Sequence, residues 1–383
     1  MTIKVVADEA IPFISAYFSH IAEVDLLPGH EISRACLEGA DVLVCRTVTR
    51  VNEALLHNTS VKLVASPTSG LDHVDQEYLE SRNIRLCSAP GCNATSVAEY
   101  VLSALFVLAQ QHQFQLAEKS VGIVGCGHVG SRLKQLLAAL GISYRLCDPF
   151  LNSDDHDTYE DMDAIAECDI ISLHVPLTDA SPHPTRGLLD EGFFASLDRD
   201  VVIVNTSRGG VVNEAALKHF RTSRPGVLVV NDVWENEPRA DEELVRMCDI
   251  ATPHIAGYSL DGKLAATRAV FEQVCDFFHE GKREGPDTGL LPPREAIRVA
   301  GDDDSELDTV ALAILASYDV RSDAAAMRRM LEEEVTDRAA YFLDLRNNYP
   351  PRREFSSLAL ELENESNELR EKLLRLGFRV TTH

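Results

Sequence analysis

The stretch VGIVGCGHVGSRLKQLLAALG, residues 121–141, constrains the fold of this chain more than any other. A β-rich run leads into Gly125-x-Gly127-x-x-Gly130, and an amphipathic run leads out. Glycines at that spacing, at a strand-to-helix junction, allow a tight turn and let backbone N–H groups approach a pyrophosphate. The helix N-terminus then faces the anion with the positive end of its dipole. About 20 residues on, the next strand ends in Asp148, placed to accept hydrogen bonds from a ribose and to repel a 2′-phosphate. The pattern predicts NAD rather than NADP.

The surrounding sequence agrees with this reading. IKVVAD (3–8), DVLVC (41–45), KLVAS (62–66) and IRLCS (84–88) read as strands, with helix-like IPFISAYFSHIAE and VNEALLHN between them. Such alternation predicts a parallel sheet flanked by helices. NATSVAEYVLSALFVLAQQHQFQ (93–115) has the apolar spacing and length of one long helix. Six more strands follow: SVGIVG, ISYRLCD, DIISLHV, DVVIVNTS, GVLVVNDV and DIATPH. LDGKLAATRAVFEQVCDFFHEG (260–281) then reads as a second long amphipathic helix. Past GKREGPDTGLLPPREA the pattern changes. LDTVALAILASYDV reads as a helix, RAAYFLDLRNNYPPRREFSSLALELEN as a helix or loop and then a strand, and ELREKLLRLGF as a short helix with a glycine stop. A boundary is placed near residue 285, with a small α+β domain beyond it.

Length and charge narrow the functional classes. A chain of 383 residues is too long for one ordinary domain. A net charge of -25 argues against a polyanion partner such as nucleic acid, and it obliges any site for an anion to gather cations locally. No apolar run approaches the roughly 20 residues of a membrane span, and MTIKVVADEA carries no long apolar run of the secretory kind. The nine cysteines form no CxxC pair and sit mostly in apolar runs, as buried thiols of a reducing, cytoplasmic compartment would. No metal site is expected.

Three polar residues stand out at predicted strand ends. Arg208 follows VIVNTS, Glu237 closes VLVVNDVWENEP, and His254 lies in DIATPHIAG. Open α/β sheets bind ligands at the carboxyl ends of their strands. An Arg there offers a bidentate fork to a carboxylate. An imidazole can take a hydroxyl proton near neutral pH, and a carboxylate on its other nitrogen fixes the tautomer and stabilises the imidazolium.

Taken together, GxGxxG, NTSRGG, DVWENEP and PHIAG resemble the D-isomer-specific 2-hydroxyacid dehydrogenase family, and ASPTSGLDHVD (65–75) resembles its substrate-loop signature. The likeness covers roughly residues 1–285. It implies two Rossmann-like doubly wound parallel-sheet domains: 1–93 with 258–285 for substrate, and 94–257 for NAD. It also implies Arg208, Glu237 and His254 as the catalytic residues. The cofactor would lie against Gly125, Gly127, His128, Val129, Gly130, Asp148, Val175, Thr206, Ser207, Asp232 and Gly257, with Asp232 on the nicotinamide amide. Substrate would meet Arg46, Thr47, Thr68, Ser69, Gly70 and Tyr258.

VCRTVTRVNEALL, SAPGCNATSVAEYV, LCDP and TPHIAGYS are similar to a branch of the family that acts on a phosphorylated 2-hydroxy acid. YDVRSD, LRNNYPPRREFSSL and LRLGF are similar to that branch's C-terminal dimerisation domain, here 286–383, which implies a homodimer. Arg352 and Arg353, adjacent in a polar loop, read as a solvated surface pair, or else as groups that in a dimer reach a neighbour's cleft. PLTDASPHPTRGLLD (176–190) is longer and more polar than in a generic member, and NTSRGG is a mild variation; neither touches the catalytic positions. Two alternatives stay open: a member acting on another hydroxy acid such as 3-phosphoglycerate, and a non-catalytic NAD-sensing scaffold that keeps the same three residues.

Overall fold

The computed structural model describes residues 2–154, 156–279, 291, 294–300, 306–363 and 366–382. The expected boundary near 285 lies outside the described residues. The chain divides into two compact units, Met1–Asn93 with Ser259–Pro292, and Ala94–Tyr258 with Pro293–His383.

The first unit holds a parallel five-stranded sheet. Its strands are β1 (Ile3–Asp8), β2 (Ala22–Leu27), β3 (Val42–Val44), β4 (Leu63–Ser66) and β5 (Arg85–Ser88), in the order β2-β1-β3-β4-β5. Successive strand residues point to opposite faces. Val5, Ala7, Val42, Val44, Leu63 and Ala65 therefore join one apolar layer, and Val6, Leu43 and Val64 the other. The helix Leu260–Phe278 covers the first layer, with Phe271 against Tyr17 and Phe18 at centroid distances of 5.3 Å. The run expected to be helical through residue 23 is cut short: the helix is Ile14–Phe18, and β2 begins at Ala22. As an edge strand, β2 (AEVDLL) is half exposed, and Glu23 and Asp25 interrupt its apolar residues.

The second unit carries a six-stranded parallel sheet of β6 (Ser120–Val124), β7 (Ser143–Cys147), β8 (Ile170–Leu173), β9 (Val202–Asn205), β10 (Leu228–Asn231) and β11 (Ile250–Ala251). Their order is β11-β10-β9-β8-β6-β7. The strand order reverses between β6 and β8, which makes the carboxyl end there a switch point where ligands bind. The long helix Ala94–His112 is buried nearly all round, as an apolar helix must be.

One further sheet of β12 (Ile297–Ala300), β13 (Ala359–Glu363) and β14 (Arg379–Thr382) is parallel and ordered β12-β13-β14. Leu360 of this sheet, with Phe355 and Leu373 beside it, shares one core with Val101 and Leu105 of the long helix and Leu133 and Leu137 of the helix His128–Leu140. That shared core explains why the C-terminal segment and the six-stranded sheet form one unit.

Candidate active site

The glycine turn is built for close approach of an anion. Gly125 has φ +88, and a Cβ there would meet the His174 carbonyl oxygen at 2.7 Å. On Gly130 a Cβ would fall well inside 3.0 Å of the Gly125 carbonyl. Gly127, by contrast, faces open space. It caps a 13-residue helix and lines a cavity of about 470 Å³ with Ala94, Thr95, His128, Ser131, Arg132 and Gln135. Unpaired N–H groups beside open room fit a pyrophosphate. Val129 packs on the core behind the turn, and Val175 contacts the Gly125 position. Asp148 accepts from Cys126 N at 2.9 Å and from Phe150 N at 3.1 Å, which ties the end of β7 to the turn. The polar segment 176–190 carries His183, which meets the exposed Phe150 edge to face at 5.3 Å.

Three neighbouring strand ends carry the remaining groups. After β9, Ser207 turns inward and its hydroxyl donates to Asn205 Oδ1 at 2.7 Å, while Arg208 stays partly exposed. Thr206 pairs instead with His174 Nδ1 at 3.3 Å. His174, which sequence patterning did not single out, is half-buried, and desolvation pushes its pKa down to about 3. It is a neutral ring joining the ends of β8 and β9. Gly209 cannot carry a side chain, because a Cβ would fall well inside 3.0 Å of the Trp234 backbone. The Arg208 tip is thereby seated directly on the loop after β10.

That loop presents Glu237, and the loop after β11 presents His254. His254 Nδ1 and Glu237 Oε2 are 2.8 Å apart. Trp234 N donates to Glu237 Oε1 at 3.0 Å. Burial pushes the Glu237 carboxyl up, but the His254 hydrogen bond and charge, the Trp234 N–H and the Arg346 charge together hold it below the usual range. It is an anion across the neutral range. His254 itself has φ 59, a left-handed backbone that costs a non-glycine residue about 1 kcal/mol.

Asp232 holds that conformation. Almost wholly buried, it accepts from Thr252 Oγ1 at 2.6 Å, Ile255 N at 2.8 Å and Ala256 N at 3.0 Å. Tyr100 OH lies 2.7 Å from the same threonine hydroxyl. A carboxylate has about four acceptor positions, so one remains for the nicotinamide amide expected there. Gly257 is partly exposed in the same loop.

The C-terminal segment reaches this loop. Arg352 is not the surface residue its polar surroundings suggested, nor does it extend outward toward a neighbour. It is 6% exposed and stacks 3.7 Å over Tyr318. It donates to the carbonyls of Ala256 at 2.9 Å and Ser96 at 2.5 Å. Arg346 Nη2 donates to Tyr258 OH at 3.1 Å. Patterning missed Arg346 and the part played by Arg352 because their partners are about 90 or more residues away.

In the first unit, Arg46 clasps the buried Asp8 with Nε at 2.8 Å and Nη2 at 3.2 Å. Its charge is thus matched locally, and Thr47 beside it is exposed. Thr68 is fixed by bonds to Ser66 Oγ and the Gly70 carbonyl, both 2.8 Å, and Ser69 is exposed. Among the described residues no group of three or more His, Cys, Asp or Glu could hold a metal ion.

Residues 102–256 match the NAD-binding domain of D-isomer-specific 2-hydroxyacid dehydrogenases, and residues 290–377 match a domain family of unknown function. Over 382 residues, spanning 99% of this chain and all of its relative, the sequence is 42% identical to an erythronate-4-phosphate dehydrogenase of Hahella chejuensis. The chain belongs to that dehydrogenase family. An enzyme of the same name from Cronobacter sakazakii is 40% identical over 99% of each chain. Among solved structures, an NAD+-bound 3-phosphoglycerate dehydrogenase from Entamoeba histolytica superposes with a TM-score of 0.62 at 24% identity, over 76% of this chain and 100% of that one. A D-lactate dehydrogenase from Aquifex aeolicus gives 0.59 at 22%, over 72% and 96%. These two similarities establish the fold.

Proposed function

We propose that the chain oxidises 4-phospho-D-erythronate to 2-oxo-3-hydroxy-4-phosphobutanoate with NAD, a step of pyridoxal 5′-phosphate (vitamin B6) biosynthesis. The observation that carries the chemistry is the 2.8 Å pairing of His254 Nδ1 with Glu237. Glu237 fixes the imidazole tautomer and leaves Nε2 to take the C2 hydroxyl proton; the imidazolium so formed is stabilised by the carboxylate. Arg208 binds the substrate carboxylate and polarises the C2 oxygen as it becomes a carbonyl. Bound NAD supplies the acceptor for the C2 hydride. The turn at Gly125, Gly127 and Gly130 with Asp148 seats the dinucleotide, while Asp232 positions the His254 loop.

Residues 1–93 and 258–285 form the substrate domain in this reading, with Arg46, Thr47, Thr68, Ser69, Gly70 and Tyr258 as its contacts. Residues 94–257 form the cofactor domain, and 286–383 the domain through which a cytoplasmic homodimer assembles. Among the described residues no helix is long and apolar enough to cross a membrane.

The test is absorbance at 340 nm with NAD and either 4-phosphoerythronate or 3-phosphoglycerate. Turnover of the first alone is expected. His254→Ala should lower kcat at least ~1,000-fold while NAD binding stays within about threefold of wild type. Near-normal turnover by that variant would overturn the assignment of the base.

A further inference from the structure

A phosphorylated hydroxy acid brings two anionic ends into a protein of net charge -25. Arg208 answers the carboxylate in the proposed reaction. The arginines described above are not equivalent answers for the phosphate. Arg46 is already paired, two nitrogens to two oxygens, with Asp8. Arg352 is 6% exposed, and its Nη1 and Nη2 are given to backbone carbonyls. Arg346 differs from both. It stands in the last turn of the helix Arg338–Asn347. Its guanidinium carbon lies 5.8 Å from the Tyr258 ring centroid, and Nη2 reaches the Tyr258 hydroxyl. The residue is partly exposed, so its fork is not closed off from a ligand. Five N–H groups in a rigid fork suit a phosphate. Arg346 also stands close enough to Glu237 for its charge to act on that carboxylate.

From this geometry we infer that Arg346, supplied by the C-terminal segment of the same chain, binds the phosphomonoester end of the substrate beside Tyr258 and sets the preference for a phosphorylated over an unphosphorylated hydroxy acid. The inference rests on the proposed reaction for its substrate, and on the structure for the residue. It gives the C-terminal segment a part in recognition as well as assembly.

The test compares wild type, Arg346→Gln and Arg346→Lys on 4-phosphoerythronate and on erythronate, with inorganic phosphate as a competitive inhibitor. One charge-assisted contact corresponds to about a 10–100-fold change in binding. For Arg346→Gln, KM for the phosphorylated substrate should rise by that factor and kcat should change less than about threefold. The kcat/KM preference for the phosphorylated compound should collapse to match. The inhibition constant of phosphate should rise in parallel, and Arg346→Lys should recover part of each effect. Equal losses on both substrates, with phosphate inhibition unchanged, would overturn the inference and leave Arg346 as a support for Tyr258. Should Arg346→Gln fail to fold, an Arg346→Lys enzyme with wild-type phosphate inhibition overturns it equally. If wild type fails to oxidise 4-phosphoerythronate, the proposed reaction falls; calorimetric titration of wild type and Arg346→Lys with inorganic phosphate still judges Arg346, and equal affinities would reject it.

Discussion

Arg352 donates to the carbonyl of Ala256, two residues beyond His254, across 96 positions of sequence. The same Ala256 gives its N–H to Asp232. The loop that carries the imidazole is therefore held from the sheet on one side and from the C-terminal segment on the other.

Replacing Arg352 with Met should uncouple the two. The Ala256 and Ser96 carbonyls would lose a charged donor in a buried place, at a cost of about 3 kcal/mol. Urea unfolding should show that loss, and kcat should fall at least ~10-fold as the His254 loop relaxes. Unchanged kcat in a folded variant would mean that the loop does not need this clamp.

Gly209→Ala tests the contact between the Arg208 tip and the Glu237 loop. The added methyl would meet Trp234 backbone, which has no flexible side chain to move aside. Overpacking of this kind costs about 1–3 kcal/mol. Activity should fall further than stability, because the shift separates Arg208 from its neighbours. A thermal unfolding curve and kcat/KM matching wild type would contradict the contact.

Glu214 predicts a pH dependence. It is buried at the start of the helix Glu214–Ser223 and exchanges backbone-to-carboxylate bonds with Glu235, at 3.1 and 2.9 Å. Burial is the main force raising its pKa from 4.5 to about 7; the Glu235 N–H opposes it and the Glu235 charge adds to it. Between those two values the folded chain keeps a proton that the unfolded chain has lost, so this group makes stability fall as pH rises through that window. Glu214→Gln keeps the acceptor and removes the ionisation. It should gain about 3 kcal/mol at pH 8 and nothing at pH 4. Equal urea midpoint shifts at both pH values would refute the assignment.

Asp148 should govern cofactor choice. In the proposed reading, Asp148→Ala takes away the ribose acceptor and the charge that would repel a 2′-phosphate. The kcat/KM with NAD should drop at least ~10-fold, and the preference for NAD over NADP should narrow. A preference left intact would assign discrimination elsewhere.

Local chemistry made much of this protein legible in the amino-acid order. The six strands of the second sheet, the glycine turn and the long helix from Ala94 all announce themselves through apolar periodicity and glycine placement, which act over a few residues. The edge strand β2 did not, because a half-exposed strand needs little apolar patterning and gains its order from pairing with β1. Sequence likewise named Glu237 and His254 as residue types suited to proton transfer, but only folding brought Nδ1 and Oε2 to 2.8 Å. The parts played by Asp232, Arg346 and Arg352 were decided by tertiary structure alone. Each acts on a group far along the chain, and long-range contacts of this kind leave no local pattern, since their energy exists only once a core shared with the C-terminal segment has brought the partners together.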